Sequence, residues 1–229
     1  MIVSFPFPDS KPEGFLAVFA KEPVAGAVKT RLSPPLSHEE AAELYRLALL
    51  ETIERLTRAG FQPTLFYSGR KNYFHRVFPN LPLRFQGEGN LGERLERAFA
   101  DHLRDGAGKM VVIGSDSPDL PPDIIEKAFS ILEREEVVVA PARDGGYVLL
   151  GESRHHPEIF RAIPWGSDRV LRETRCRAKE KGLTLMEIEG WEDIDDAASL
   201  ERFLRRSPDS PVSLYVRQNV SFFEGKFSV

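Results

Sequence analysis

Short, continuously apolar runs alternate along this chain with stretches whose apolar residues recur at helical spacing. That alternation restricts the fold more than any other feature. The runs FLAVFA (residues 15–20), MVVIG (110–114) and VVVA (137–140) carry no polar side chain. A strand with one wet face alternates apolar and polar residues, whereas an unbroken run fits a strand buried on both faces. Ser37 opens a helix, and Glu40 three residues on completes a capping box. Ala41, Leu44, Tyr45, Ala48, Leu49 and Ile53 then recur on one face until Gly60 ends the run. Further strands are expected at 63–67, 81–85, 147–150 and 184–188, and further helices at 91–103, 122–133, 167–181 and 197–206. Strands alternating with helices imply an α/β fold: a three-layer α/β/α sandwich on a mainly parallel mixed sheet.

At 229 residues the chain suits one large domain. A single domain is expected over residues 1–206, entered through an irregular N-terminal lead-in. SPDSP at 207–211 marks the boundary of a C-terminal extension, 207–229, expected as a strand or hairpin packed on the body or on a partner subunit of a homo-oligomer. The 31 basic residues nearly balance the 35 acidic ones, for a net charge of -4, which argues against a protein that grips a nucleic-acid backbone. No segment approaches the ~18 consecutive apolar residues of a membrane helix. The Pro-rich N-terminus lacks the basic and apolar regions of a secretory signal. The single cysteine, Cys176, cannot form an internal disulfide and is too little for a cysteine-based zinc site. A cytoplasmic protein with neither nucleic-acid nor membrane partners is expected.

In an open α/β sheet, ligands bind beyond the carboxyl ends of the strands, so the loops leaving the three apolar runs should hold the chemistry. The first loop, KEPVAGAVKTRL (21–32), is long for such a connection. Gly26 lets a ligand approach the backbone, and Lys21, Lys29 and Arg31 could neutralise a di- or triphosphate. A solvated surface loop is the plainer alternative. The second loop, GSDSPDLP (114–121), sets Asp116 and Asp119 three residues apart, which suits Mg2+ or Mn2+ sharing phosphate oxygens, although a helix-capping turn uses the same residues. Asp119 is the weaker of the two and can serve only to shape the turn. The third, ARDGGY (142–147), reads either as a turn or as the place where Asp144 serves as a second-substrate contact or as a general base. The acid-rich WEDIDD (191–196) precedes the last helix, where capping is the default and metal attraction the alternative. Arg94, near the start of a helix, could reach a phosphate or form a surface ion pair. His155 and His156 fit a solvated loop, and Cys176 belongs to no motif.

Six stretches in order carry a resemblance: FAKEPVAGAVKTRL (19–32), QGEGNLGERL (86–95), IGSDSPDLP (113–121), PARDGGYVLLG (141–151), IPWGSDRVL (163–171) and DIDDAASL (193–200). Together they resemble the DUF2064 family, a bacterial group of glycosyltransferase-A-type proteins regarded as nucleotide-diphospho-sugar transferases. One branch of it is associated with arsenosugar biosynthesis. The resemblance spans about residues 15–206 and implies a GT-A-type nucleotide-binding domain whose first loop holds the base and phosphates. It also implies that Asp116 is the metal-binding aspartate of a D-x-D-like position. Asp195 matches the acid that opens the D-T-P-E-D-L motif of related nucleotidylyltransferases and helps hold their metal. Here Asp196, Ala197, Ala198 and Ser199 replace the Thr-Pro-Glu-Asp portion. Asn90 stands where the family usually has Asp, and Gly166, Ser167 and Asp168 follow Trp165 where Ser-Thr is typical, both on the expected acceptor side.

The activity expected from these residues is metal-dependent glycosyl transfer from a nucleotide-diphosphate sugar to a small acceptor. The nucleoside diphosphate leaves with growing negative charge, which an ion at Asp116 and the cations Lys21, Lys29 and Arg31 would stabilise. Asp144 would be the acceptor's base, and Arg94 a further nucleotide contact. The alternative is nucleotidyl transfer from a nucleoside triphosphate to a phosphorylated acceptor, because the G-x-x-K-T-R-L loop also resembles that of 2-phospholactate and molybdenum-cofactor guanylyltransferases. A third reading is a nucleotide-binding subunit without catalysis.

Overall fold

The computed structural model describes residues 14–104 and 108–223. The expected N-terminal lead-in, apart from Gly14, and the last six residues of the expected extension lie outside the described residues. Seven strands build one sheet: β1 (Phe15–Lys21), β2 (Thr64–Ser68), β3 (Leu83–Phe85), β4 (Met110–Gly114), β5 (Val137–Pro141), β6 (Tyr147–Glu152) and β7 (Leu185–Glu187). Their order is β3-β2-β1-β4-β6-β5-β7. β6 runs antiparallel to β4 and β5, and the other pairs are parallel, as expected of a mainly parallel mixed sheet.

The apolar runs are buried on both faces. Leu16, Val18 and Ala20 of β1 join Val111 and Ile113 of β4 and Val138 and Ala140 of β5 in one core. Ala17 and Phe19 join Met110, Val112, Val137 and Val139 in the other. The first core is covered by α1 (His38–Arg58), α2 (Lys71–Val77) and α4 (Pro122–Ile131), the second by α3 (Leu91–Leu103) and α5 (Val170–Glu180). The α1 capping box forms as expected: Ser37 Oγ accepts from Glu40 N–H at 3.1 Å, and Glu40 Oε2 accepts from Ser37 N–H at 2.7 Å. α5 starts three residues later than its expected position at 167, because Ser167 is spent on a turn: its Oγ donates to Pro164 C=O at 2.7 Å after Gly166 takes φ +83°.

A third core lies at the end of the chain, where the expected strand or hairpin is instead a helix. α6 (Ala197–Arg206) is followed by α7 (Pro211–Asn219), and Leu200, Phe203, Leu204, Val212 and Val216 pack on Leu44 and Ala48 of α1. The signal for α7 was present in the boundary stretch itself. Ser210 caps the helix through Val212 N–H at 3.1 Å, with Pro211 at the first helical position. Ser210 Oγ also donates to the buried Glu51 of α1 at 2.5 Å.

Two acids that do not line the ligand-binding cleft hold the frame. Asp119, 5% exposed, accepts from Trp191 Nε1 (3.0 Å), Arg206 (2.6 and 3.2 Å) and Ser207 Oγ (2.9 Å). It therefore ties the loop after β4 to α6. Glu152, fully buried at the opposite end of the sheet, accepts from His156 N–H at 3.1 Å and faces His155 Nδ1 at 3.3 Å. Burial pushes its carboxyl up to about 7.

Asp119→Ala strands Trp191, Arg206 and Ser207 and is expected to cost about 2–3 kcal/mol in urea unfolding. The folded-state pKa of Glu152 lies above its unfolded value of 4.5, so its favourable contribution is complete below that value and is lost as pH rises through about 7. Glu152→Gln should flatten that decline and gain about 2 kcal/mol over the parent at pH 8, with little gain at pH 4, read from unfolding curves at both pH values.

Candidate active site

A cleft of about 620 Å³ opens beyond the carboxyl ends of β1 and β4. The chain leaves β1 towards β2 on one side and later crosses to β4 on the other, so this is the sheet's switch point, the usual place for a ligand. The two strand ends are tied by Tyr45 of α1. Its hydroxyl accepts from Lys21 N–H at 2.8 Å and shares a hydrogen bond with Ser115 Oγ at 2.7 Å. Burial, reinforced by the Asp116 carboxylate, raises the tyrosine's pKa well above its ordinary value, so it stays a neutral strut. Gln86 closes the neighbouring edge: its amide donates to Ala20 C=O near the end of β1 at 3.1 Å and to Phe66 C=O in the middle of β2 at 2.8 Å.

The first and second loops converge. Lys29 Nζ lies 3.0 Å from Asp116 Oδ1. Lys29 is 5% exposed along its side chain, and Asp116 is 42% exposed. The acid-rich segment before α6 is fastened to the same place, because Ile194 N–H donates to Asp116 C=O at 2.8 Å. Asp193 and Asp195, flanking Ile194, both line the cleft. Asp195 is engaged by Arg31 at 2.7 Å. Burial raises the Asp193 carboxyl to about 6, with Asp144 and Asp116 adding to the shift and Lys29 opposing it.

The other expected residues are distributed as follows. Lys21, Arg31 and Arg94 line the cleft. Arg94 donates through Nε to Gly89 C=O at 2.8 Å and reaches Ser68 Oγ and Gln86 Oε1 at 3.4 Å. Gly26 takes φ +75° in a turn and lies outside the cleft lining. Asp144 also lines the cleft, and its Oδ1 accepts from Gly146 N–H at 2.9 Å, so it shapes the β5–β6 turn as well. Gly145 at φ +90° is required there, since a Cβ would come within 2.1 Å of Asp168 C=O.

Asp193, Tyr45, Gln86 and Trp165 were not singled out from the sequence. Asp193 lay inside the recognised acidic run, while Tyr45 occupies the apolar stripe of α1 and so reads as core. Trp165 also lines the cleft. It stands on Gly92, where a Cβ would meet its Nε1 at 1.9 Å, and donates to Phe160 C=O at 3.2 Å.

No group of three or more His, Cys, Asp or Glu side chains among the described residues is arranged as a preformed metal site. The donor set nevertheless fits an ion that takes most of its ligands from phosphate and water, which needs only one or two protein carboxylates. Asp116 has one buried oxygen that accepts no directed hydrogen bond, and its partly exposed side chain opens to the cleft. No helix among the described residues is long and apolar enough to cross a membrane.

Comparison with known proteins supports the same architecture. The chain is 26% identical over 204 residues to 2-phospho-L-lactate guanylyltransferase of Haloarcula marismortui, covering 86% of this chain and 89% of the relative. A crystal structure from Desulfovibrio desulfuricans G20, named as a candidate nucleotide-diphospho-sugar transferase, superposes with a TM-score of 0.84 at 28% identity, covering 91% of this chain and 96% of that one. The manganese complex of Rv0371c from Mycobacterium tuberculosis H37Rv shares the fold, with a TM-score of 0.51 at 16% identity and coverage of 85% and 99%. The fold is that of nucleotide-handling transferases. A family model described as an uncharacterised protein conserved in bacteria matches residues 52–167, half of the chain, and the chain belongs to that family, DUF2064.

Proposed function

We propose that this protein is a metal-dependent nucleotidyltransferase: it moves a nucleoside monophosphate from a nucleoside triphosphate to a small phosphorylated acceptor and releases pyrophosphate. The observation that carries this reading is the convergence of the cation-bearing first loop with Asp116 in one cleft at the sheet's switch point. Nucleotidyl transfer is preferred to the glycosyl transfer expected from the motifs because the relative aligned over most of the chain is a guanylyltransferase.

In this mechanism an acceptor phosphate oxygen attacks the α-phosphorus, and the bond to the bridging oxygen of the β-phosphate breaks. Lys21 and Arg31 stabilise the charge that collects on the departing pyrophosphate. Arg94, held only by neutral acceptors among the described residues, supplies another fixed positive charge on the cleft wall. A bound Mg2+ or Mn2+ would draw charge from the phosphates as a Lewis acid. Asp116 would hold it, with Asp193 a better second ligand than Asp195, which Arg31 already engages. A phosphate acceptor is already ionised and needs no base, so Asp144 would position the acceptor.

Glycosyl transfer is the second reading, favoured by the name of the Desulfovibrio structure. There a sugar donor would lose a nucleoside diphosphate, and Asp144 would take the acceptor's proton.

The direct test supplies single nucleoside triphosphates, Mn2+ and phosphorylated acceptors including 2-phospho-L-lactate, then measures pyrophosphate. Release of nucleoside diphosphate from sugar donors, with no pyrophosphate from any triphosphate, would replace the first reading with the second. Asp116→Asn should lower turnover by about 10²-fold or more, the scale of losing a principal electrostatic stabiliser. Asp144→Asn should reduce nucleotidyl transfer by less than about tenfold, against the 10²–10⁴-fold typical of a lost general base. Lys21→Ala should weaken triphosphate binding in calorimetry while leaving the melting temperature near that of the parent.

A further inference from the structure

Lys29 differs from the other cations of the first loop. Lys21 and Arg31 line the cleft, whereas Lys29 does not, and its side chain is 5% exposed. A lysine is rarely so buried without a partner, and its partner here is the buried oxygen of Asp116 at 3.0 Å. That oxygen has essentially no solvent contact and accepts no directed hydrogen bond, yet the side chain as a whole is 42% exposed. The exposed part of the side chain therefore lies elsewhere than on that oxygen. Lys29 thus meets the carboxylate at its buried oxygen, while Asp116 still lines the cleft.

The backbone is bent to permit this. Lys29 adopts φ 50° and ψ 38°, the left-handed region that non-glycine residues seldom occupy. The short 3-10 turn that follows, Thr30–Leu32, buries Leu32 completely in the third core and anchors the segment. A strained residue held by a packed neighbour, with its charge directed inward, suits a fixed support better than a mobile phosphate contact.

We infer that Lys29 is a positioning residue for Asp116: it holds the buried oxygen, fixes the carboxylate with its other oxygen toward the cleft, and does not contact the nucleotide. The inference rests on the reading of Asp116 as the metal-holding carboxylate. It reassigns Lys29 from the nucleotide to the support of that carboxylate.

The test uses the full chain and two probes that require no turnover. The first is Mn2+ binding, read from the electron paramagnetic resonance signal of free Mn2+. The second is binding of a fluorescent guanosine triphosphate analogue in excess EDTA. Lys29→Met is expected to weaken Mn2+ binding by about tenfold or more, the usual consequence of removing a group that orients a metal ligand. Its analogue affinity in EDTA should stay within about twofold of the parent, while Lys21→Ala and Arg31→Ala lower it several-fold. In an Asp116→Asn background, Lys29→Met should change Mn2+ binding no further, because the effect runs through that carboxylate. Lys29→Gln serves as the second variant if the methionine form does not fold.

Unchanged or tighter Mn2+ binding in the Lys29 variants would overturn the inference, the latter meaning that the ammonium competes with the ion. So would a loss of analogue affinity in EDTA equal to that of Lys21→Ala, or Mn2+ binding to the parent that ignores Asp116→Asn. These outcomes are separable from those of the function assay. A protein that releases no pyrophosphate but loses Mn2+ on Lys29→Met would refute nucleotidyl transfer and keep this role for Lys29.

Discussion

The cleft is governed by the repulsion among its own carboxylates. Asp116, Asp144, Asp193 and Asp195 come from three separate segments and all line one cavity. Like charges so gathered oppose folding unless something compensates them. Lys29 faces Asp116, and Arg31 faces Asp195. Asp144 spends an oxygen on a backbone amide of its own turn. Asp193 is left with burial and its neighbours' charge, which is why its carboxyl is pushed up to about 6. Four carboxylates at an open cleft, set against Lys21, Lys29, Arg31 and Arg94, form an arrangement that a divalent ion and a polyphosphate would complete together.

Neutral, well-buried groups hold that arrangement in place. Tyr45 joins the ends of β1 and β4, Gln86 bonds carbonyls of β1 and β2, and one main-chain hydrogen bond fastens the Asp193–Asp195 segment to Asp116. Strand ends leave unpaired carbonyls and amides, and burying them unpaired would be costly. The same side chains that satisfy those groups also fix the spacing of the loops. Rigid support of this kind is what an electrostatic mechanism requires, because its charges must already be placed when the reaction occurs.

Asp119 shows how two acids in one loop acquire different roles. It lies three residues beyond Asp116, but the turn directs it away from the cleft and toward Trp191, Arg206 and Ser207. Arg206 also stacks over the Trp191 ring at 5.2 Å. The pair therefore divides the work: Asp116 lines the cleft, and Asp119 binds the loop to the C-terminal helices. No spacing rule separates the two, since both follow the same strand.

Hydrophobic pattern alone determined the sheet, because burial on both faces leaves unbroken apolar runs, and capping residues marked α1 in advance. The three chemically distinctive loops were also legible, since strand ends in such a sheet are where ligands bind. Tertiary structure decided the rest. That Arg31 pairs with Asp195, that Lys29 faces a buried oxygen rather than solvent, and that Tyr45 ties two strand ends all depend on contacts between segments far apart in sequence. The helix at 211–219 belongs to the same class: it depends on the apolar surface of α1 and α6 that receives it. Local composition fixes what a segment can bury, but only the assembled chain fixes which charge stands opposite which.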